Sequence, residues 1–394
     1  MNLSRRAALL GLATSFSIGR TSLALASAPT DKRLVVIILR GALDGMAAVV
    51  PYGDPNLVAL RGEIVPPQPG QPDGVLDLGG FFGLNPALAG VHDMYRANQA
   101  LIVHAVAGSY RVRSHFEAQD YLESGADHRM TSGWLNRAVA ALPAGTTERP
   151  EGDALAVGVS VPLLLRGPAR VANWAPHGFA APAQGLYAAI AALNRNDPIT
   201  GPAIAEGLRA RGFSTAVMAG DEDPQDKNAF TTLTRSAGEM LRAPDGPRIA
   251  ALEIGGWDTH TAQTNRLTAP LKQLDAGLVA LKTALGPAWA QTAVLVMTEF
   301  GRTARVNGTN GTDHGTGTVA LLLGGAVAGG RIQATWPGLG SGQLFENRDL
   351  APTTDLRAVA KGMLAVHLGL DAGTLNRVFP GSDSVAAMPG LIRT

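Results

Sequence analysis

The sequence has no cysteine among its 394 residues, and only 5% of them are aromatic. Without cysteine the chain forms no disulfide bonds, so its hydrophobic core must hold the folded state together. Hydrophobic residues make up 46% of the chain, alongside 48 glycines and 25 prolines. This composition indicates a folded protein with many loops rather than a disordered one.

Charge is also scarce, and it is nearly balanced. The chain has 33 Lys and Arg residues against 32 Asp and Glu, for a formal net charge of +1. A near-neutral surface does not attract nucleic acid or an anionic membrane electrostatically, so neither is expected as a partner. A stable membrane span is not expected either, because Thr14, Ser15 and Ser17 interrupt the apolar N-terminal run and leave it too short to cross a bilayer.

Residues 1–26 have the layout of a secretory signal peptide. Arg5 and Arg6 precede the short apolar run Ala7–Leu12, and Ala24–Ala26 provides an A-x-A cleavage site. Paired arginines directly before a weak apolar run favour the twin-arginine translocase as the export partner, with a Sec signal or an amphipathic leader as the alternative. We therefore expect a periplasmic or extracellular protein. Cleavage would also remove Arg20 and change the net charge from +1 to −2.

In residues 27–394, strand-like runs alternate with helix-like patterns. Continuous apolar runs predict buried strands at Leu34–Leu39, Leu101–Val106, Ala154–Val159, Ile249–Ile254, Ala293–Met297 and Val319–Leu323. Amphipathic stretches predict helices over Asn85–Arg96, His115–Glu123, Leu267–Leu285 and Leu356–Leu368. The alternation predicts an α/β fold, a doubly wound and mainly parallel sheet with helices on both faces. We expect one domain, because no linker-like stretch divides the strands. Two surface segments are expected, the loop Glu63–Asp77 and the acidic turn Asp221–Asp226.

Polar segments flanked by glycine adjoin four of the predicted strands. In open α/β sheets the chemistry lies at the carboxyl edge of the strands. The four segments carry carboxylates and imidazoles of the kind that bind divalent metals, namely Asp44, Asp258, His260, Glu299, Asp313 and His314. Each has a structural alternative as well, such as a turn at Asp44 or an ion pair between Glu299 and Arg302. Because all four polar segments adjoin strand ends, the sequence favours a shared metal site over four unrelated structural roles.

The other histidines lack acidic companions in the sequence. His92, His104 and His367 fall within helix or strand patterns, where a histidine is more often a core or surface residue than a ligand. His128 and His177 lie in predicted loops, where the sequence favours neither a ligand role nor a structural one.

These segments resemble the domain-of-unknown-function family numbered 1501. The resemblance rests on Ser114-His115-Phe116, Gly133–Arg137, Gly255–His260, Thr298–Thr303 and Asp313–Gly315, with Ala351–Asp355 and Val378–Gly381 near the C-terminus. It extends from about Lys32 to Gly381. It implies an alkaline-phosphatase-like or sulfatase-like fold, in a superfamily that includes phosphatases, sulfatases and phosphomutases. It also implies a twin-arginine leader.

The resemblance further implies roles by chain order. Asp44, Asp258, His260 and His314 match metal-binding positions, and Ser114 matches the nucleophile. Where the superfamily has an Asp-His pair, this sequence has Glu299-Phe300. Phenylalanine cannot bind a metal, so one complete metal site is expected, with a weaker or absent second one.

Four further residues are candidates for catalysis or for substrate binding. Ser114 is either a nucleophile at a helix N-terminus or an N-cap, with Glu117 three residues on completing a capping box. His115 is either a proton carrier or a support for a ligand. Arg302 or Arg40 would hold a tetrahedral anion with its bidentate guanidinium.

The sequence therefore predicts an exported metal-dependent hydrolase that acts on a small anionic ester of phosphate or sulfate. The cofactor is a divalent ion: zinc suits Asp258, His260 and His314, and manganese, calcium or magnesium would suit Asp44 with Glu299. The alternative hypothesis is a non-catalytic secreted binding or assembly factor that keeps the fold with a structural or degenerate metal site.

Overall fold

The computed structural model describes residues 31–143, 154–176 and 229–394. The proposed signal peptide, His177 and the acidic turn Asp221–Asp226 lie outside these residues.

A mixed, mostly parallel sheet of nine strands forms the centre of the described protein. The strands in chain order are β1 (Arg33–Leu39), β2 (Val49–Val50), β3 (Leu76–Asp77), β4 (Gly83–Leu84), β5 (Ala100–Ala107), β6 (Ala154–Val157), β7 (Val171–Trp174), β8 (Ile249–Ile254), β9 (Thr292–Thr298), β10 (Thr318–Leu323), β11 (Arg331–Gln333) and β12 (Thr354–Asp355). The sheet order is β11-β5-β10-β9-β1-β8-β6-β7, with β12 also paired to β5. Strand β10 runs antiparallel to both of its neighbours, and the other described pairings in this sheet are parallel. Strands β2, β4 and β3 form a separate antiparallel sheet.

Helices cover both faces of the central sheet. In chain order they are α1 (Gly45–Ala48), α2 (Leu57–Arg61), α3 (Ala89–Arg96), α4 (His115–Ser124), α5 (Trp134–Ala140), α6 (Ala229–Arg242), α7 (Gln263–Leu285), α8 (Leu356–His367) and α9 (Ala372–Val378). Alternate residues of β1 point to opposite faces, as the two-residue period of a strand requires. Val35 and Ile37 pack in one core with α3, α6 and α7, whereas Leu34 and Val36 pack in the other with α5, α8 and α9. The predicted α/β class is confirmed.

The boundaries differ from the predictions in a few places. Strand β6 ends at Val157 rather than Val159, because Gly158 takes a positive φ of 150° and turns the chain. Helix α7 begins one turn earlier than predicted, at Gln263, and keeps Pro270 within it. Part of the predicted loop Glu63–Asp77 forms β3. The short strands β7, β11 and β12 were not predicted, because runs of two to four residues carry too little periodicity.

No helix within the described residues is both long enough and apolar enough to cross a membrane.

Candidate metal centre

The ends of five sheet strands bring the candidate residues to one edge. Asp258 and His260 follow the carboxyl end of β8, Glu299 follows β9, and His115 opens α4 after β5. His314 precedes β10, and because β10 runs antiparallel, its amino end lies at the carboxyl edge of its neighbours. The turn after β1 reaches the same place, since the backbone N–H of Gly41 donates to Glu299 Oε1 at 2.9 Å. A Cβ on Gly41 would lie only 2.8 Å from the backbone nitrogen of Asp258, so glycine is needed for this close approach.

Each of three histidines at this edge is held through its Nδ1 atom. His115 Nδ1 lies 2.8 Å from Glu299 Oε1 and His260 Nδ1 lies 3.0 Å from Asp313 Oδ1. His314 Nδ1 lies 3.0 Å from the carbonyl oxygen of Arg113. All three partners are acceptors, so each neutral imidazole carries its proton on Nδ1 and presents the Nε2 lone pair.

The Nε2 atoms of two histidines lie against the Nε2 atom of the third. His314 Nε2 lies 2.9 Å from His115 Nε2 and 3.0 Å from His260 Nε2. Two lone pairs that face each other at such a distance repel unless a cation lies between them. The donor set therefore calls for either a shared proton or a metal ion.

Asp258 adds a carboxylate to the same point. Its Oδ1 lies 3.0 Å from His260 Nε2 and 3.4 Å from His314 Nε2, and its Oδ2 lies 3.7 Å from His115 Nε2. In His115, Asp258 and His314 the donor atoms are all within 4.8 Å of one another, and His260 extends this group through its contacts with the latter two. We call these four residues the donor cluster. Three imidazoles and one carboxylate form a zinc-type ligand set, for which bonds of about 2.0–2.1 Å in a tetrahedron would space the donor atoms about 3.3 Å apart.

The electrostatics keep the carboxylates around the donor cluster ionised. Burial acts to raise the pKa of Asp258, but Arg302 and His260 outweigh it and the pKa lies below its ordinary value. Burial is likewise opposed at Glu299, where hydrogen bonds from His115 and Gln119 lower the pKa. The hydrogen bond to Glu299 raises the pKa of His115. Burial lowers the pKa of His314, so the shifts at these two imidazoles are opposite in direction.

Glu299 and Asp313 contact the histidines from behind. Both were predicted as ligands, but their oxygens point to Nδ1 atoms on the far side of the rings from the donor atoms. Carboxylates in this position fix the tautomer and orientation of a metal-binding histidine. Gln119 also donates to Glu299 Oε1 at 3.0 Å.

Asp44 does not join the donor cluster. Its Oδ1 accepts from the backbone N–H groups of Met46 and Ala47, so it caps α1. Its Oδ2 accepts from Arg61 and, at 2.6 Å, from Gln263 Nε2. No hydrogen bond or ion pair among the described residues joins Asp44 to the cluster. The structure thus gives Asp44 a buried structural role where the sequence predicted a ligand.

The two arginines predicted to bind an anion are already engaged. Arg302 is fully buried, and its Nη2 forms an ion pair with Asp258 Oδ1 at 2.8 Å, without the alignment of a hydrogen bond. Arg40 donates to Gln119 and also forms ion pairs with Glu123 and Glu253. Arg40 is thus engaged by several side chains, whereas the buried Nε and Nη1 atoms of Arg302 have no hydrogen-bond partner among the described residues.

Ser114 lies next to the donor cluster in the chain, directly before His115. It occupies the N-cap position of α4, but its side chain makes no capping hydrogen bond. Glu117 instead accepts a hydrogen bond from the hydroxyl of Tyr110. The capping-box prediction was wrong, because Tyr110 competes for the Glu117 carboxylate.

Phe300 packs against the donor cluster. Its ring centroid lies 4.8 Å from that of His115 and 5.2 Å from that of His314. The ring fills the space beside these two histidines with apolar surface.

Gln263 was missed from the sequence. It is buried at the start of α7, and its Oε1 accepts from Thr259 Oγ1 at 3.0 Å and from Thr312 Oγ1 at 2.6 Å. Thr259 lies between two cluster residues in the chain, and Thr312 lies two residues before His314. Gln263 therefore joins the two loops that carry three of the four donors. No short-range pattern could have shown the contact with Thr312, which lies 49 residues away in the chain.

Several solved structures are similar to this chain at low identity. They include i-CgsB in complex with a neocarrahexaose (10% identity, TM-score 0.41, covering 88% of this chain and 74% of that one). A protein in the alkaline phosphatase superfamily from Vibrio parahaemolyticus is 12% identical, with a TM-score of 0.36 over 84% of this chain and 72% of that chain. A mutant alkaline phosphatase of the Antarctic bacterium TAB5, with Mg bound in its M3 site, is 10% identical, with a TM-score of 0.35 over 79% of this chain and 94% of that chain. No curated protein sequence matches the chain.

The family is shown by the sequence itself. The model described as "Protein of unknown function (DUF1501)" matches residues 101–379. This match is shorter than the predicted resemblance, which began at about Lys32, but it covers more than two thirds of the chain and includes the whole donor cluster. The chain belongs to the DUF1501 family.

Proposed function

We propose that this protein is a metal-dependent hydrolase of phosphate or sulfate esters, with His115, Asp258, His260 and His314 as the ligands of one divalent ion. The observation that carries the proposal is the position of His314 Nε2, which lies within 3.0 Å of the Nε2 atoms of both His115 and His260. Each of the three imidazoles is fixed by an acceptor at Nδ1. Zinc suits this nitrogen-rich set better than magnesium or calcium, which prefer oxygen. A bound divalent ion would polarise an oxygen of the ester group.

The residues around the donor cluster have separate tasks in this proposal. Glu299 and Asp313 orient two of the imidazoles, and the carbonyl of Arg113 orients the third. Arg302 keeps Asp258 ionised. Phe300 excludes water from one side of the histidines.

Ser114 is the proposed nucleophile. Its hydroxyl is not used for capping, and the residues on either side of it both contact the donor cluster. Ser114 Oγ would bond to phosphorus or sulfur as the bond to the alcohol oxygen breaks, and the alcohol would leave with the serine proton. Water would then cleave the seryl ester and restore the serine, releasing sulfate, phosphate or, from a phosphodiester, a phosphate monoester.

Metal content, measured together with turnover on chromogenic phosphate monoesters, phosphodiesters and sulfate esters, tests the proposal. We expect bound metal and hydrolysis of at least one ester. His115→Ala should bind the metal more weakly and lose turnover, whereas His92→Ala should keep both. His92 is a matched control, because its Nε2 contacts only the carbonyl of Asp77, away from the donor cluster. Bound metal without turnover on any ester would instead favour a binding or assembly factor.

Export by the twin-arginine translocase to the periplasm or beyond is part of the same proposal. It rests on the arginine pair Arg5-Arg6 before a weak apolar run. Replacing both arginines by lysine keeps the charge but removes the guanidinium groups, so export should stop. Normal amounts of the double variant in the periplasm would contradict the assignment.

A further inference from the structure

The charge around the donor cluster bears on the substrate class, which rests on the hydrolase function proposed above. Three carboxylates contact the cluster residues or belong to them: Asp258, Glu299 and Asp313. Only one cation, Arg302, forms an ion pair with a cluster residue within the described chain. The neutral imidazoles add no charge, so these groups carry two net negative charges, which one divalent ion would balance.

The other arginines nearby are already neutralised by carboxylates. Arg40 is paired with Glu123 and Glu253. Arg113, whose carbonyl holds His314, is paired with Asp349 at 2.7 Å and with Glu346. Neither supplies positive charge to compensate an incoming anion.

Arg302 is also unavailable to a substrate. Its side chain is 0% exposed, and the carboxylate of Asp258 lies against its Nη2. An ester that enters from solvent therefore meets a metal site with no net charge. The partly exposed Arg348, which acts electrostatically on Asp313, is itself paired with Asp349. A phosphate monoester carries up to two negative charges at neutral pH, whereas a phosphodiester or a sulfate monoester carries one.

We infer that the site selects monoanionic esters, either phosphodiesters or sulfate monoesters, over dianionic phosphate monoesters. The charge of Asp258 is compensated by Arg302 and the bound ion, so the second charge of a monoester gains no net attraction from the site. It is repelled by Asp313, which lies behind His260. For one unit charge taken to lie about 8 Å away at an effective dielectric of about 45, the repulsion weakens binding about fivefold.

Binding of three small anions to the zinc-loaded protein tests the inference without requiring turnover. Methyl phosphate, dimethyl phosphate and methyl sulfate are compared by calorimetry at pH 8 and low ionic strength, where methyl phosphate is a dianion and screening is weak. We expect dimethyl phosphate and methyl sulfate to bind several-fold more tightly than methyl phosphate. Tightest binding of methyl phosphate, or no binding of any of the three, would overturn the inference.

A charge-specific variant sharpens the test. Asp313→Asn removes one negative charge, while the amide oxygen still accepts from His260 Nδ1. It should shift the affinity ratio toward methyl phosphate by about fivefold, with zinc content checked in parallel. Asp73→Asn removes the same charge from an exposed loop and should leave the ratio unchanged. An unchanged ratio in the fully zinc-loaded Asp313 variant would count against the inference.

The outcomes separate this inference from the proposed function. If phosphate monoesters are the best substrates, the hydrolase stands and the charge argument is wrong. If no ester is hydrolysed, the proposed function fails, and the binding ratios still decide the anion preference.

Discussion

Glu299→Gln tests whether the negative charge of Glu299, which accepts a hydrogen bond from His115 Nδ1, strengthens metal binding by His115. The Glu299 carboxylate accepts from His115 Nδ1, Gln119 Nε2 and the Gly41 N–H through Oε1. A glutamine oxygen can accept the same three. The new amide nitrogen would face Thr298 Oγ1, which can accept from it because its own proton can go to the carbonyl of Leu39 at 2.7 Å. The hydrogen-bond count is therefore preserved, and only the charge is lost.

The expected cost falls on metal binding rather than on folding. Removing a carboxylate behind a metal-binding histidine typically lowers metal affinity about 10–100-fold, or roughly 1.4–2.7 kcal/mol. The free energy of unfolding of the metal-free protein should change by less than about 1 kcal/mol, because each hydrogen bond keeps a partner. The variant also no longer buries a carboxylate that is 0% exposed, which would offset part of any loss.

Two measurements test these expectations. Competition with a chromogenic chelator gives the zinc affinity, and urea unfolding gives the stability of the metal-free protein. An affinity within twofold of the wild type would refute the claim that Glu299 acts through His115. A large loss of stability in the metal-free protein would refute the claim that glutamine keeps every hydrogen bond of Glu299.

Three other predictions concern packing, pH and the nucleophile. Gln263→Leu and Asn136→Leu each remove a buried amide that has hydrogen bonds to two or more groups, so both should lower the free energy of unfolding. Only the Gln263 variant should lose zinc affinity in a chelator assay. Asn136 is the control, because it contacts Leu165 and Ala169 and not the loops of the donor cluster. Burial lowers the pKa of His104 and of His367 to about 4, so urea-measured stability should fall as the pH drops from 6.5 toward 4, by up to about 3 kcal/mol per histidine. Stability falls toward low pH because the unfolded chain binds protons that the two buried histidines of the folded chain do not. A stability that stays constant between pH 6.5 and 4 would contradict this prediction. Ser114→Ala should leave the melting temperature nearly unchanged and abolish turnover, whereas near-normal turnover on an identified ester would remove Ser114 as the nucleophile.

The sheet could be predicted because its strands are buried on both faces. The run Leu34–Leu39 is continuously apolar, and the strand covers Arg33–Leu39, since parallel strands between helix layers need apolar residues on every position. The antiparallel direction of β10 could not be predicted from its own run Val319–Leu323. Its direction depends on pairing with β9, the preceding strand, and with β5, which lies far away in the chain.

The site was only partly accessible from the sequence for a related reason. Glycine-flanked polar residues after strands indicated where the chemistry would lie, and Asp258, His260 and His314 do come together. Residue type alone does not distinguish a carboxylate that points to a donor atom from one that points to Nδ1, as with Glu299. That distinction depends on ring orientation, which is set by tertiary contacts. Equally, Asp44 precedes a helix and is paired with Arg61, a partner that no local pattern shows.

X-ray absorption of the protein loaded with zinc tests the central claim most directly. The account predicts one zinc ion per chain with about three imidazole nitrogens and one carboxylate oxygen at about 2.0–2.2 Å, and loss of one imidazole from the coordination sphere in His115→Ala. Failure to bind zinc at stoichiometric concentration would contradict the account. So would a spectrum with oxygen ligands only, or one that His115→Ala leaves unchanged.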